Sequence, residues 1–258
     1  MNNYSVLFVT CDCNEDLWNP FFHLFKKYWP SYKGTVYFNT ETKHFSYKGV
    51  NIKVLNNHFR KRDKWAKRLK LCLKQMKDEY VILILDDFFF YDFVDCDELH
   101  RCIKYMDNDK FISCFSFWTS PGKVVKTEYS HYGLKEKRAR YRINLQIGLW
   151  RRRKLIKYIR NHENPWTFET MGSRRCARYR DKIYHLNYNE PLVFKYPAGG
   201  VISGKKWTYP EAISLLKKED IQIDMSIRGF YHKGEKKQES IYKESRLKYL
   251  FNAFRSLI

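Results

Sequence analysis

The sequence predicts an α/β fold, a Rossmann-type and mostly parallel sheet flanked by helices, with a basic helical segment at its C-terminal end. Three observations carry this. Short runs rich in β-branched and aromatic residues alternate with amphipathic stretches through residue 120. Three of those runs end in polar clusters, "TCD" at 10–12, "NTE" at 39–41 and "DDF" at 86–88, and ligands of such sheets sit beyond the carboxyl ends of strands. In residues 240–258, Leu247, Leu250, Phe251, Phe254, Leu257 and Ile258 recur at helical spacing with Lys243, Arg246, Lys248 and Arg255 between them.

The elements follow in order. "YSVLFVT" at 4–10 reads as a buried strand, "CDCNEDLWNP" as a loop, and Pro20 to Tyr28 as a short helix. "GTVYFNT" at 34–40 and Val50 to Leu55 read as two more strands. Residues 64–77 form the clearest helix, with Trp65, Leu69, Cys72, Leu73 and Met76 on one stripe and Lys67, Arg68, Lys70, Lys74 and Lys77 off it. "YVILIL" at 80–85 is the most hydrophobic strand. Asp97 is placed to cap a helix running to about residue 106, and Phe111 to Trp118 is a further strand. Beyond 120, "RINLQIGLW" at 142–150 reads as a strand or a lead into a helix, "RRRKLIKYIRN" as a basic helix, and "TYPEAISLLKKE" as a helix with Pro210 near its start. The expected division is 1–120, 121–235 and 236–258.

With 258 residues, 18% of them aromatic, the chain can bury a sizeable core and is too rich in rings for a disordered protein. Its net charge of +21 favours anionic partners: nucleic acid, phosphorylated small molecules or an anionic membrane. Seven dispersed cysteines show no disulfide or zinc spacing, with Cys11 and Cys13 the one close pair. The opening "MNNYSVLFVTCD" lacks a basic region and a small-residue cleavage site, so reduced thiols and a cytoplasmic location are expected. No run of about 18 apolar residues occurs. The histidines form no H-x-x-x-H or H-E-x-x-H pair, and no G-x-S-x-G appears.

Asp86 and Asp87 raise the functional question. Two adjacent carboxylates at the end of a hydrophobic strand suit Mg²⁺ or Mn²⁺, which prefer hard oxygen ligands and neutralise a diphosphate. The same pair also fits a plain turn. The stretch "NPWTFE" at 164–169 offers a second carboxylate, Glu169, beside Trp166 and Phe168. It fits a base in an apolar setting, and equally a helix start with Pro165 in the first turn and Glu169 near the positive end.

Together, the N-terminal α/β half, "LILDDF" and "NPWTFE" resemble GT-A glycosyltransferases, more narrowly the bacterial enzymes of capsule, O-antigen, lipooligosaccharide and related surface glycans. The resemblance spans roughly residues 4–210 on short motifs. It implies a hexosyltransferase with a nucleotide-sugar donor, a UDP-sugar first, in the N-terminal half and a glycan or lipid-linked acceptor in the C-terminal half. Asp86 and Asp87 stand where the D-x-D motif carries metal and diphosphate, but Phe88 replaces its last Asp, leaving Asp87 as the direct ligand for Mn²⁺ or Mg²⁺ and lysines and arginines as alternative counter-charges. Glu169 resembles the base of an inverting transferase. Thr10, Asp12 and Arg68 fall where base, ribose and donor would bind, and Gln146, Trp150 and Trp166 where the acceptor would lie.

Each of these residues has a plainer reading. Asp12 also fits a turn cap and Trp65 a core stripe. Lys205 and Lys206 in "GGVISGKKW" would contact phosphate or simply sit in a solvated loop, since the segment lacks P-loop spacing. The basic C-terminal helix fits an anionic membrane surface on the cytoplasmic face, or docking on the chain itself. The main rival is a basic nucleic-acid-binding protein without catalysis. No RNP or helix-turn-helix pattern is visible, and no nucleic-acid partner is expected.

Overall fold

A computed structural model describes residues 4–55, 59, 63–232, 251 and 254–256. Strands β1 (Tyr4–Val9), β2 (Val36–Asn39), β3 (Ile52–Val54) and β4 (Tyr80–Leu85) pair in parallel in the order β3-β2-β1-β4. This is the Rossmann-like half; β1, β2 and β4 are buried on both faces, which explains the apolar runs of β1 and β4, while the edge strand β3 is partly exposed. The sheet continues as β8-β5-β9-β7-β6, with β5 (Ile112–Ser116), β6 (Val124–Val125), β7 (Tyr132–Lys135), β8 (Gly148–Arg151) and β9 (Lys182–Leu186). Here β8 runs antiparallel between β4 and β5, and β7 runs antiparallel to β9. The second half of the sheet is therefore mixed. A small separate sheet is formed by β10 (Ile202–Ser203), β11 (Lys206–Tyr209) and β12 (Phe230–His232), none of which was expected as a strand.

Helices cover both faces. α1 (Trp18–Tyr28) and α3 (Cys96–Asn108) pack on one side. α2 (Trp65–Gln75) and α4 (Arg152–Tyr158) pack on the other. The α2 stripe is as expected: Leu69, Cys72, Leu73 and Met76 are buried. Trp65 is half-buried against Phe168. Arg68, expected on the polar side, is buried as well. The cap of α3 is Asp95, whose carboxylate accepts from the Glu98 amide at 2.9 Å, two residues before the expected Asp97. After α4 come α5 (Pro165–Thr167), a π-turn (Phe168–Gly172) and α6 (Ser173–Cys176), with Asn164 capping α5. α7 (Glu211–Lys218) follows Pro210. No helix of the described residues is long and apolar enough to cross a membrane.

The basic C-terminal segment expected at 236–258 lies outside the described residues except at 251 and 254–256. There Ser256 meets the domain: its hydroxyl pairs with His162 at 2.8 Å and its carbonyl accepts from Arg175 at 2.6 Å. Phe251 and Phe254 are exposed.

The core under β1 is aromatic. Phe8 is fully buried, with ring centroids 4.4 Å from Phe21, 5.1 Å from Phe22 and 5.2 Å from Phe38. Phe8→Ala removes this hub and leaves a cavity. It should destabilise the fold by about 3–5 kcal/mol, read as a lower urea midpoint with an unchanged slope.

Candidate active site

The site forms where β1 and β4 end. Asp86 and Asp87 occupy the turn after β4, closed by the Phe88 amide donating to the Leu85 carbonyl at 3.3 Å. Phe88, Phe89 and Phe90 then turn inward and are all buried. Each meets an aromatic residue from later in the chain: Tyr196 at 4.5 Å, Trp207 at 6.1 Å and Phe194 at 5.6 Å. Backbone bonds zip the two segments together, from Val201 N to Asp87 O at 2.8 Å and from Tyr91 N to Lys195 O at 3.0 Å. The carboxylates are thus held at the rim by the phenylalanines that follow them.

Asp86 is buried. Its Oδ2 accepts from Thr10 Oγ1 at 2.5 Å and from Asn14 Nδ2 at 2.9 Å. Thr10 is fixed in turn by Trp18 Nε1, which donates to its hydroxyl at 2.8 Å. Burial raises the Asp86 pKa against these hydrogen bonds. Asp87 is half-buried, and burial together with the neighbouring Asp86 charge pushes it up to about 8. No Lys or Arg forms an ion pair with either carboxylate among the described residues. Gly200 lies against Asp87 at φ +79°, and a side-chain carbon there would overlap the carboxylate.

Arg228, which the sequence did not mark, joins the small sheet to this site. Its guanidinium pairs with Asp16 at 2.6 and 2.7 Å and donates to Asn14 Oδ1 at 2.9 Å. Asn14 thus bridges Arg228 and Asp86. A lone Arg in the loop between α7 and β12 carries no pattern that singles it out.

The second carboxylate is linked to this region through residues 145–146. Glu169 sits in the π-turn, a helical irregularity that often marks function. Its Oε1 accepts from the Leu145 amide at 2.8 Å, and burial raises its pKa. The adjacent Gln146 accepts from Tyr196 Oη at 3.0 Å, and Tyr196 stacks on Phe88 beside Asp87. Residues 145–146 therefore touch both the Glu169 helix and the aromatic stack behind Asp87.

Other expected residues lie elsewhere. Trp150 is 2% exposed on β8, inside the core rather than lining a pocket. Trp166 is 57% exposed, while Phe168 is buried against Trp65. Asp12 caps the turn after β2, accepting from the amides of Glu41 at 3.1 Å and Thr42 at 3.1 Å. Arg68 pairs with Glu41 at 2.5 Å, and its buried Nε has no hydrogen-bond partner. Asp12 and Arg68 thus converge on Glu41, a residue not singled out from sequence beyond its place in "NTE". Lys205 is exposed at the β10–β11 tip and Lys206 begins β11. Only the Lys205 carbonyl reaches the site, accepting from Arg228 at 3.3 Å.

Among the described residues, no three His, Cys, Asp or Glu side chains converge on a metal position. The carboxylate pair fits the sparser arrangement in which Mg²⁺ or Mn²⁺ takes one or two carboxylates and fills its other positions with phosphate oxygens and water. Since Asp86 Oδ2 already accepts two hydrogen bonds, Asp87 is the side chain that would hold the ion.

The raised Asp87 pKa fixes the sign of a stability effect. Between the ordinary value of 3.8 and about 8, the folded chain keeps a proton that the unfolded chain releases, so stability contributed by Asp87 falls as pH rises through this window. Asp87→Asn should therefore stabilise the protein at pH 8 or above, by on the order of 1–3 kcal/mol after allowing for solvent screening. The gain should vanish near pH 4. Thermal melts of both proteins in EDTA across this range measure it.

No family model matches the chain, and no curated protein matches it. Solved structures do. TarS 1–349 of S. aureus aligns at 13% identity and a TM-score of 0.49, over 75% of this chain and 60% of that one. TarS 1–349 in complex with UDP-GlcNAc aligns at 13% identity and a TM-score of 0.46, over 86% and 67%. The bifunctional IspDF of Campylobacter jejuni aligns at 13% identity and a TM-score of 0.38, over 72% and 50%. The chain spans 60% of the first of these structures and 39% of the longer TarS structure.

Proposed function

We propose that the chain is a glycosyltransferase that moves a sugar from a nucleotide-sugar donor, a UDP-sugar first, to a hydroxyl of a glycan or lipid-linked acceptor, with inversion, in bacterial surface polysaccharide synthesis. The observation that carries this reading is the pair Asp86–Asp87 at the end of β4. Its carboxylates are raised in pKa, have no ion-paired cation among the described residues, and are linked through Tyr196 and Gln146 to the segment that binds Glu169. A carboxylate pair that is costly to ionise is poised for a positive charge that arrives with a ligand.

In this reading the donor diphosphate lies at Asp87, with Thr10, Asn14 and Asp86 forming one wall and Gly200 the other. A divalent ion held by Asp87 would neutralise the leaving diphosphate. Glu169 accepts the proton of the acceptor hydroxyl as that oxygen bonds to the anomeric carbon and the bond from carbon to phosphate oxygen breaks. Burial suits Glu169 to this role, because a raised pKa strengthens the base. The Leu145 amide keeps the carboxylate aimed by holding its other oxygen. Peripheral attachment to an anionic membrane through the C-terminal segment belongs to the same proposal.

Two measurements test it. A thermal-shift panel of UDP-, GDP-, CMP- and dTDP-sugars, with and without Mn²⁺, should show a raised midpoint for one nucleotide class. No shift with any of them counts against a donor site. Glu169→Gln keeps shape and removes the base, so turnover should drop roughly 10²–10⁴-fold with donor affinity nearly kept. Loss of donor binding in this variant would move Glu169 to the donor site and leave the base elsewhere.

A further inference from the structure

Cys11 and Cys13 flank Asp12 in the loop leaving β1. Their sulfurs lie 2.7 Å apart, with Cys13 exposed and Cys11 half-buried. The backbone causes this proximity. The Asn14 amide donates to the Cys11 carbonyl at 2.9 Å and closes a tight turn that brings both thiols to one side. Asp12, between them, is pinned by the amides of Glu41, Thr42 and Lys43. The turn is therefore ordered before any reaction. A disulfide places its sulfurs about 2.05 Å apart, so closure asks for a movement of only about 0.7 Å.

The pair is distinct among the cysteines. Cys72, Cys102, Cys114 and Cys176 are buried, and the half-buried Cys96 faces the Ser31 hydroxyl at 3.3 Å. We infer that Cys11 and Cys13 are a redox-active dithiol that closes to an intramolecular disulfide under mild oxidation, in the turn that supports Asp86. The location gives the reaction a mechanical reach. The next residue, Asn14, donates to Asp86 and accepts from Arg228, and the Cys13 carbonyl also accepts from Arg228 at 3.5 Å.

The chemistry balances with a low-molecular-weight disulfide as oxidant. The exposed Cys13 thiolate attacks one sulfur of glutathione disulfide, breaking that bond and releasing one glutathione thiolate. Cys11 then gives up its proton and displaces the second glutathione from Cys13, forming the Cys11–Cys13 bond. The two cysteines lose two electrons and two protons, and one glutathione disulfide becomes two glutathiones. A thiol held beside the mixed disulfide makes the second step fast, so the adduct does not accumulate. The lowered Cys13 pKa, to about 7, follows first from its hydrogen bond with Cys11 and supplies thiolate at neutral pH.

The full-length chain, reduced and freed of reductant, is incubated with glutathione disulfide and mapped by peptide mass spectrometry. The expected product is a peptide carrying Cys11 and Cys13 that has lost two hydrogens, bears no glutathione and regains its thiols with dithiothreitol. Cys11→Ser should instead trap a stable glutathione adduct on Cys13. A stable adduct on Cys13 of the unmodified chain, a crosslink to another cysteine, or no reaction at 11 and 13 while Cys96 reacts would each overturn the inference. The readout uses no nucleotide sugar, so its failure is separate from failure of the transferase reading.

Discussion

Much of this molecule depends on how the chain tolerates two adjacent carboxylates at the end of its most hydrophobic strand. A turn in water would hydrate them at little cost. Here the chain follows them with Phe88, Phe89 and Phe90 and drives all three into the core. Apolar burial of that size outweighs the electrostatic cost and fixes the carboxylates at the rim. Of the partners of the three rings, Phe194 and Tyr196 come from the segment that leads into the small sheet and Trp207 from its strand β11. Anchoring the acids thus also anchors the far half of the chain over them.

The polar connections follow the same plan. Arg228 ties the small sheet to the loop after β1, and Asn14 passes that contact to Asp86. On the other side, Arg175 and Glu163 form a buried pair at 2.6 Å that also receives the Ser256 carbonyl. That pair brackets the helical segment carrying Glu169, with Glu163 just before the Asn164 cap and Arg175 in α6. A buried ion pair of this kind specifies one arrangement more than it adds stability. Here it ties the two ends of that segment together.

The N-terminal half was legible because local signals agree there. Strands buried on both faces read as unbroken apolar runs, and the α2 stripe has a clean period. The positions of Asp86 and Asp87 followed directly from the end of β4. Legibility failed where tertiary contacts decide. Arg68 occupies a polar position of its helix, yet Glu41 draws it inside. The resemblance places Trp150 with the acceptor, but β8 is a central strand and the indole is buried in the core. The small sheet was missed because its strands are two to four residues long and hold no periodic pattern. Arg228 depends on contacts more than 200 residues away in sequence, such as that with Asp16.

The reversed direction of β8 has a consequence for how such a site can change. Gly148 pairs with Leu83 and Ser116, so the start of β8 lies beside the ends of β4 and β5. The residues just before it, including Gln146, are thereby delivered to the same rim as Asp86 and Asp87. Between β5 and β8 the chain makes an excursion through residues 117–147 that returns to this fixed entry point. The excursion can lengthen, shorten or exchange its contents without disturbing the four parallel strands, because both of its ends are held by central strands. One side of this rim can thus be rewritten while the other is inherited intact.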